Sequence, residues 1–281
     1  MIKRLVLACA LVTATAWSAI DVDALWNFSD PAASEARFRE ALAAAQGDDA
    51  LILRTQIART LGLRQRHDEA HRELDDIEPA LAAAGVEPRV RAWLERGRTL
   101  RSSGKPAEGK PLFVRAFATA DAAKLERLAA DALHMIALVE PQLDERIAWN
   151  QRTIEYAQRA SDPRAQGWQA AALNNIGSDL RGAKRLDESL AAFREALTAY
   201  QHEGRATHVR MARWQIANVL RLTGQRDDAL AMQLALERDS MAANEPDPHV
   251  YDELALLHAA AGDTARATAA RNEAEALRRG R

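Results

Sequence analysis

The sequence predicts an all-α protein built as a solenoid of about six stacked helical hairpins, and three observations carry that expectation. Alanine and leucine dominate, aromatic residues make up 5%, and no alternating Val/Ile/Thr-rich run follows the first twenty positions, so helix-forming residues prevail throughout. A pattern of small and bulky residues recurs in units that start near 51, 90, 129, 170, 210 and 248. Three Asp-Pro pairs, Asp30-Pro31, Asp162-Pro163 and Asp247-Pro248, each set an N-cap carboxylate before a proline at a first helical position, where the missing N–H costs nothing. With 281 residues, 48% apolar and 28% charged, the protein is long enough to bury one large or two modest cores.

The elements follow in order. Residues 1–20 carry Lys3 and Arg4 ahead of the apolar run LVLACALVTATA, with an A-x-A pattern at Ala14-Thr15-Ala16. They resemble a bacterial secretory signal peptide that is cleaved. The run is shorter than the roughly 20 residues that span a bilayer, so a membrane anchor through residues 5–20 and a cytoplasmic protein are the alternatives to a periplasmic or secreted one. Val6-Leu7-Ala8-Cys9 imitates a lipoprotein box, although only four apolar residues precede Cys9, the single cysteine. Residues 21–47 form an N-terminal segment and a capping helix from about 31 to 46 that carries Phe38 and Ala41. The array then occupies 48–281, and its last helix, through Arg278, Arg279 and Arg281, forms the polar C-terminal cap.

The repeat is clearest in LNNIGSDLRGAKRLDESLAAFREAL, Leu173 to Leu197. With Leu173 as position 4, bulky residues stand at 4, 7 and 11 (Leu173, Ile176, Leu180), Gly177 at 8, Ser189 at 20, Phe193 at 24 and Ala196 at 27. Trp93, Gly97, Leu100, Gly104, Gly109, Phe113 and Ala116 repeat the frame upstream; Ile216, Ala217, Leu220, Gly224, Ala229 and Leu236 repeat it downstream. Ile57, Ala58, Leu61, Ala70 and Leu74 mark the first unit, and Tyr251, Leu254, Ala255, Gly262, Ala267 and Ala274 the last. A degenerate copy lies between, with Ala132, Ile136 and Val139 on one helix and Ile147, Ile154 and Ala157 on the other, joined by a short turn at Glu140-Pro141. Two antiparallel helices that cross closely need small side chains where their backbones meet, and glycine at position 15 suits a turn with positive φ.

These offsets resemble the tetratricopeptide repeat family, over roughly residues 31 to 278. The resemblance implies a right-handed α-solenoid with N- and C-terminal capping helices. The spacing of 38 to 41 residues exceeds the usual 34, so the helices are expected to be extended by a turn or more. The family proline at position 32 is absent, and Gln233 and Arg271 replace the position-24 aromatic in the last two units.

Composition excludes some functions. A formal net charge of -2 and a pI near 6.4 provide no basic field for nucleic acid. His67 and His71 have metal-ligand spacing on a helix, but Asp68 stands where a zinc-protease motif needs Glu, and the repeat frame assigns His67 to the turn. Ser102-Ser103-Gly104-Lys105 lacks the first glycine of a phosphate loop and is followed by Pro106. No G-x-S-x-G elbow is present. No catalytic residue, metal site or cofactor is therefore expected, and the protein is read as a non-enzyme.

In the family, positions 2, 5, 9 and 12 face the concave groove. Here they include Arg59, Arg98, Arg101, Arg181 and Arg221, and paired guanidinium hydrogen bonds suit an acidic peptide or a free C-terminal carboxylate. Pairing of these arginines with local Glu and Asp is the alternative. Asn174, Asn175, Trp214 and Asn218 share that face; the amides suit a peptide backbone, and the Asn-Asn pair resembles repeats of the kinesin-light-chain type. Trp214 is either a binding anchor or packed against the next helix. The expected function is a non-catalytic scaffold that holds a protein or peptide in the groove, with a small-ligand-sensing regulatory domain as the alternative.

Overall fold

In this computed structural model the structure describes residues 20–280, and the proposed leader, apart from Ile20, and Arg281 lie outside them. The Asp-Pro pairs act as read from the sequence. Asp30 accepts from Ala33 N at the start of α2 (Pro31–Leu42), Asp162 from Arg164 N at α9 (Pro163–Gln166), and Asp247 from His249 N at α14 (Pro248–Ala260). Each prolyl residue stands in the first helical turn, where no intrahelical N–H is needed.

Six hairpins follow one another. They are α3 (Gly47–Leu63) with α4 (His67–Leu81), α5 (Val86–Ser102) with α6 (Pro106–Ala122), and α7 (Glu126–Val139) with α8 (Leu143–Arg159). The fourth is α9 and α10 (Trp168–Gly182) with α11 (Leu186–His202); then come α12 (Ala206–Leu222) with α13 (Arg226–Ala242), and α14 with α15 (Thr264–Arg279). Seven of the hairpin helices have 17 residues, which accounts for the long repeat. The arrangement is a right-handed α-solenoid, and no strand occurs among the described residues.

The small positions do what close crossing requires. Gly97 and Gly177 lie so near the next helix that an added Cβ would stand 2.5 Å from the Phe113 ring and 2.7 Å from the Phe193 ring. Ala217 and Ala229 are both fully buried at the equivalent crossing. Phe113, Phe193, Ile57 and Ile136 fill the space beside these contacts, each completely buried.

The ends differ in kind. α2 seals the first hairpin by burying Phe38 against Ile52, Leu53 and Ile57. The other end is closed by α15 itself, whose basic last turn, Arg278 and Arg279, faces solvent. Between hairpins three and four, the inner helix begins at Pro163 and is interrupted at Gly167. The short turn of the degenerate unit is held by Arg146, which donates to the carbonyls of Glu140 and Pro141, and by the Lys110–Glu140 ion pair at 2.5 Å.

Ahead of α2, residues 20–30 include a short helix, α1 (Val22–Leu25), which the sequence pattern did not indicate. This segment returns over the inner helices. Val22 is buried with the first-hairpin core.

Candidate functional site

Successive first helices, α3, α5, α7, α10, α12 and α14, place six of the predicted groove residues, Arg59, Arg98, Asn175, Arg181, Asn218 and Arg221, on one polar ladder. Arg59 reaches across to Glu95 at 3.4 Å. Arg98 donates to Glu95 Oε1 at 2.6 Å and to Asp131 on the next hairpin at 2.5 and 2.6 Å. The Asn175 amide and His134 Nδ1 lie 3.3 Å apart. Arg181 donates to Gln215 and to Asn218 Oδ1. Asn218 Nδ2 and Arg221 converge on Glu253, at 2.8 Å for the amide and 2.7 and 3.0 Å for the guanidinium.

The electrostatics follow from burial against pairing. Desolvation, reinforced by Arg98, pushes the Arg59 guanidinium below its ordinary value. Desolvation also opposes the charge on Arg98, but Asp131 and Glu95 outweigh it and hold Arg98 above its ordinary value. Burial opposes ionisation of Asp131, and Arg98 and Arg59 reverse that effect, keeping the carboxyl low. Burial pushes His134 down to about 4, opposed by Asp131 and assisted by Arg98 and Arg101. Its ring leans on Trp168 at 4.7 Å.

The structure thus brings Arg59, Arg98 and Arg221 to carboxylates of the neighbouring hairpin, whereas Arg181 has only neutral acceptors and an edge over Phe193. Arg101 is exposed and has no ion-pair or hydrogen-bond partner among the described residues. Asn174 Oδ1 is buried without a hydrogen-bond partner among the described residues. Trp214 is tied to the following hairpin, with Nε1 donating to the His249 carbonyl at 3.0 Å. With Met211, Leu236 and Val250 it walls a pocket of 610 Å³. His67 and His71 both lie on α4, and the described residues contain no cluster of three or more candidate metal ligands.

Sequence reasoning missed Glu95, Asp131 and Glu253, the carboxylates that receive the arginines. A signal existed: each lies 32 to 36 residues beyond its arginine, nearly one repeat, which brings equivalent faces of successive inner helices together. It also missed the N-terminal segment on that face. Trp26 Nε1 donates to Gln56 Oε1 at 3.0 Å, and Trp26 stacks on Phe28 at 4.5 Å. The Arg59 guanidinium covers both rings at 5.6 and 5.5 Å. Asp23 pairs with Arg127 at 2.5 Å and with Arg164 at 3.6 Å. A cavity of 1210 Å³ separates this segment from Trp168 and the end of α11.

Residues 168–236 match the tetratricopeptide repeat family. No curated protein sequence matches the chain. Among solved structures, a signal transduction ATPase with numerous domains from Pyrococcus horikoshii, which carries a tetratricopeptide repeat sensor, is similar at a TM-score of 0.68 and 10% identity over 87% of this chain. This chain spans only 38% of that one. BtubC from P. vanneervenii is similar at a TM-score of 0.60 and 16% identity, covering 82% of this chain and 92% of the other. A Rap protein complexed with competence and sporulation factor has a TM-score of 0.60 and 13% identity, covering 86% and 69%. Residues 168–236 are tetratricopeptide repeats, and the described residues have the fold of tetratricopeptide-repeat solenoids.

Proposed function

With a tetratricopeptide-repeat solenoid as the premise, we propose that the protein is a non-catalytic interaction scaffold that holds a protein or peptide segment on its inner face. The observation that carries this reading is the hollow on that face. Its 1210 Å³ is lined on the helices by Trp168, Arg59, Glu95 and Asp131, and on its open side by Trp26 and Phe28 of the N-terminal segment. Aromatic walls with a few fixed polar groups suit a bound segment, because the rings bury area at low entropic cost and the polar groups set register. The Rap protein solved with competence and sporulation factor has the same fold and supports the reading by analogy. An acidic segment or a free C-terminal carboxylate is the proposed ligand, with Arg101, an exposed inner-helix arginine that has no carboxylate partner among the described residues, as a group free to receive it. The leader read from residues 1–20 makes the proposed compartment the periplasm or the exterior. No helix among the described residues is long and apolar enough to cross a membrane.

Arg98 is a poor reporter of binding, since Arg98→Glu would set a third carboxylate against Glu95 and Asp131 and so test folding. Exposed positions serve better. A photo-crosslinking amino acid replacing Arg101 on the inner helix α5 is expected to give a covalent protein adduct in cells, and the same replacement of the exposed Arg238 on α13 is not. Adducts from Arg238 alone, or none from Arg101, would remove the groove from consideration.

The small-ligand sensor keeps one supporting feature, the apolar 610 Å³ pocket beside Trp214, whose volume is in the range typical of small-molecule sites. A metabolite that raises the melting temperature of the wild type but not of Trp214→Ala would favour it.

A further inference from the structure

The segment ahead of α2 is unlike the rest of the protein, because its side chains meet the solenoid as a ligand would. Asp21, Asp23, Trp26 and Phe28 form an acidic-aromatic run, DVDALWNF. Its carboxylate at Asp23 lies between Arg127, in the first turn of α7, and Arg164, in the first turn of α9. Its indole N–H meets Gln56 in the middle of α3, and its paired rings lie under Arg59. One short stretch therefore bridges the first, third and fourth hairpins. Hollows flank it: the 1210 Å³ cavity beneath Trp26 and Phe28, and one of 830 Å³ between Ile20–Val22 and the starts of α5 and α7.

We propose that residues 21–28 are a resident intramolecular ligand of the groove, and that the partner is a protein segment of the same chemistry, a carboxylate three residues ahead of an aromatic ring, which displaces them. The inference rests on the groove reading above and names its ligand class.

The balance of forces fits exchange. Phe28 is 62% exposed although it stacks on Trp26, and the Arg164 side chain is 62% exposed; ion pairs and cation–π contacts of such exposure are individually weak. Only Val22 is buried within the segment. Its occupancy comes from tethering to α2, which gives an effective concentration of roughly millimolar. A segment in trans with a few more contacts can therefore compete. The complementary charges are local: Arg127 and Arg164 face the Asp23 carboxylate, whereas Arg59 and Arg91 on the same cavity walls are already paired with Glu95 and Glu87.

The test uses the full-length protein and a fluorescent, end-capped peptide with the sequence of residues 21–28. Anisotropy is expected to show at least tenfold tighter binding to the release variant Asp23→Ala/Trp26→Ala than to the wild type. Adding Arg127→Glu to that variant, or replacing the peptide's own Asp and Trp at the positions of Asp23 and Trp26 by Asn and Ala, should abolish it. Equal affinity for wild type and release variant, binding that survives Arg127→Glu, or no binding at all would each overturn the proposal. If the release variant loses helicity, the wild type still decides: excess peptide should accelerate amide hydrogen exchange in residues 20–28, and unchanged exchange counts against displacement. A crosslinked partner at Arg101 combined with no peptide binding would sink this inference and leave the groove reading intact.

Discussion

At the scale of the residue, the small side chains at the crossings are set by distance. Ser189 occupies its position because it is small and because its hydroxyl donates to the Gly177 carbonyl at 2.7 Å, a bond alanine could not make. Gly109 is excluded from growth by the Gly97 carbonyl, 2.9 Å from where its Cβ would stand. At Gly177 two effects compete. Alanine would gain about 1 kcal/mol in helix propensity, but its methyl would meet the Phe193 ring at 2.7 Å, and overpacking costs about 1–3 kcal/mol. Gly177→Ala is therefore expected to lower unfolding free energy by up to about 2 kcal/mol in urea. A gain in stability would mean that Phe193 moves aside freely.

At the scale of the element, the turn between paired helices places one residue in the left-handed region in every hairpin except the third, whose short Glu140-Pro141 turn has none. Gly104, Gly224 and Gly262 fill it with φ of 85, 84 and 79°. The first and fourth hairpins place Gln65 and Lys184 there instead, at 60 and 62°, a conformation that costs an L-residue roughly 1–2 kcal/mol. Lys184→Gly relieves that strain but gives the unfolded state more freedom, at a cost of about 0.4–1 kcal/mol. Relief of strain outweighs that cost, so thermal or urea denaturation should show a gain of up to about 1.6 kcal/mol, and a loss would show that Lys184 makes an offsetting contact. Because the sequence frame marks position 15 only where it is glycine, it identified three of these turns by residue type and the others only by their offset.

At the scale of the whole molecule, neighbouring hairpins are joined twice, by apolar packing and by the inner polar ladder. In such arrays stability is close to a sum over repeats and the interfaces between neighbours, so each rung of the ladder couples one hairpin to the next. The rung between the third and fourth hairpins contains His134, whose folded value of about 4 lies below the ordinary value near 6.5. The folded state then binds fewer protons than the unfolded state between those values, and stability, full above about pH 6.5, falls as pH drops toward 4. The limiting slope for one proton is about 1.4 kcal/mol per pH unit, and the partly exposed ring lowers it. Urea midpoints at pH 7 and pH 4.5 are expected to differ more for the wild type than for His134→Gln, which cannot titrate. Identical differences would mean that His134 is protonated in the folded state without penalty.

The repeat, the helix starts and the small-against-bulky crossings were determined by the sequence alone, because each depends on residues within one period of each other and on steric demands that residue type expresses directly. Gly177 with Phe193, or Asp162 before Pro163, can be read without coordinates. The fate of the groove was decided by tertiary structure. Whether Arg59, Arg98 and Arg221 wait for a ligand or face Glu95, Asp131 and Glu253 depends on how one hairpin is rotated against the next, a rigid-body relation that no local pattern encodes. The return of Asp23, Trp26 and Phe28 over the inner face depends in the same way on curvature summed over several hairpins, which brings the N-terminal segment to Arg127 and Arg164, the nearer of them 104 residues along the sequence.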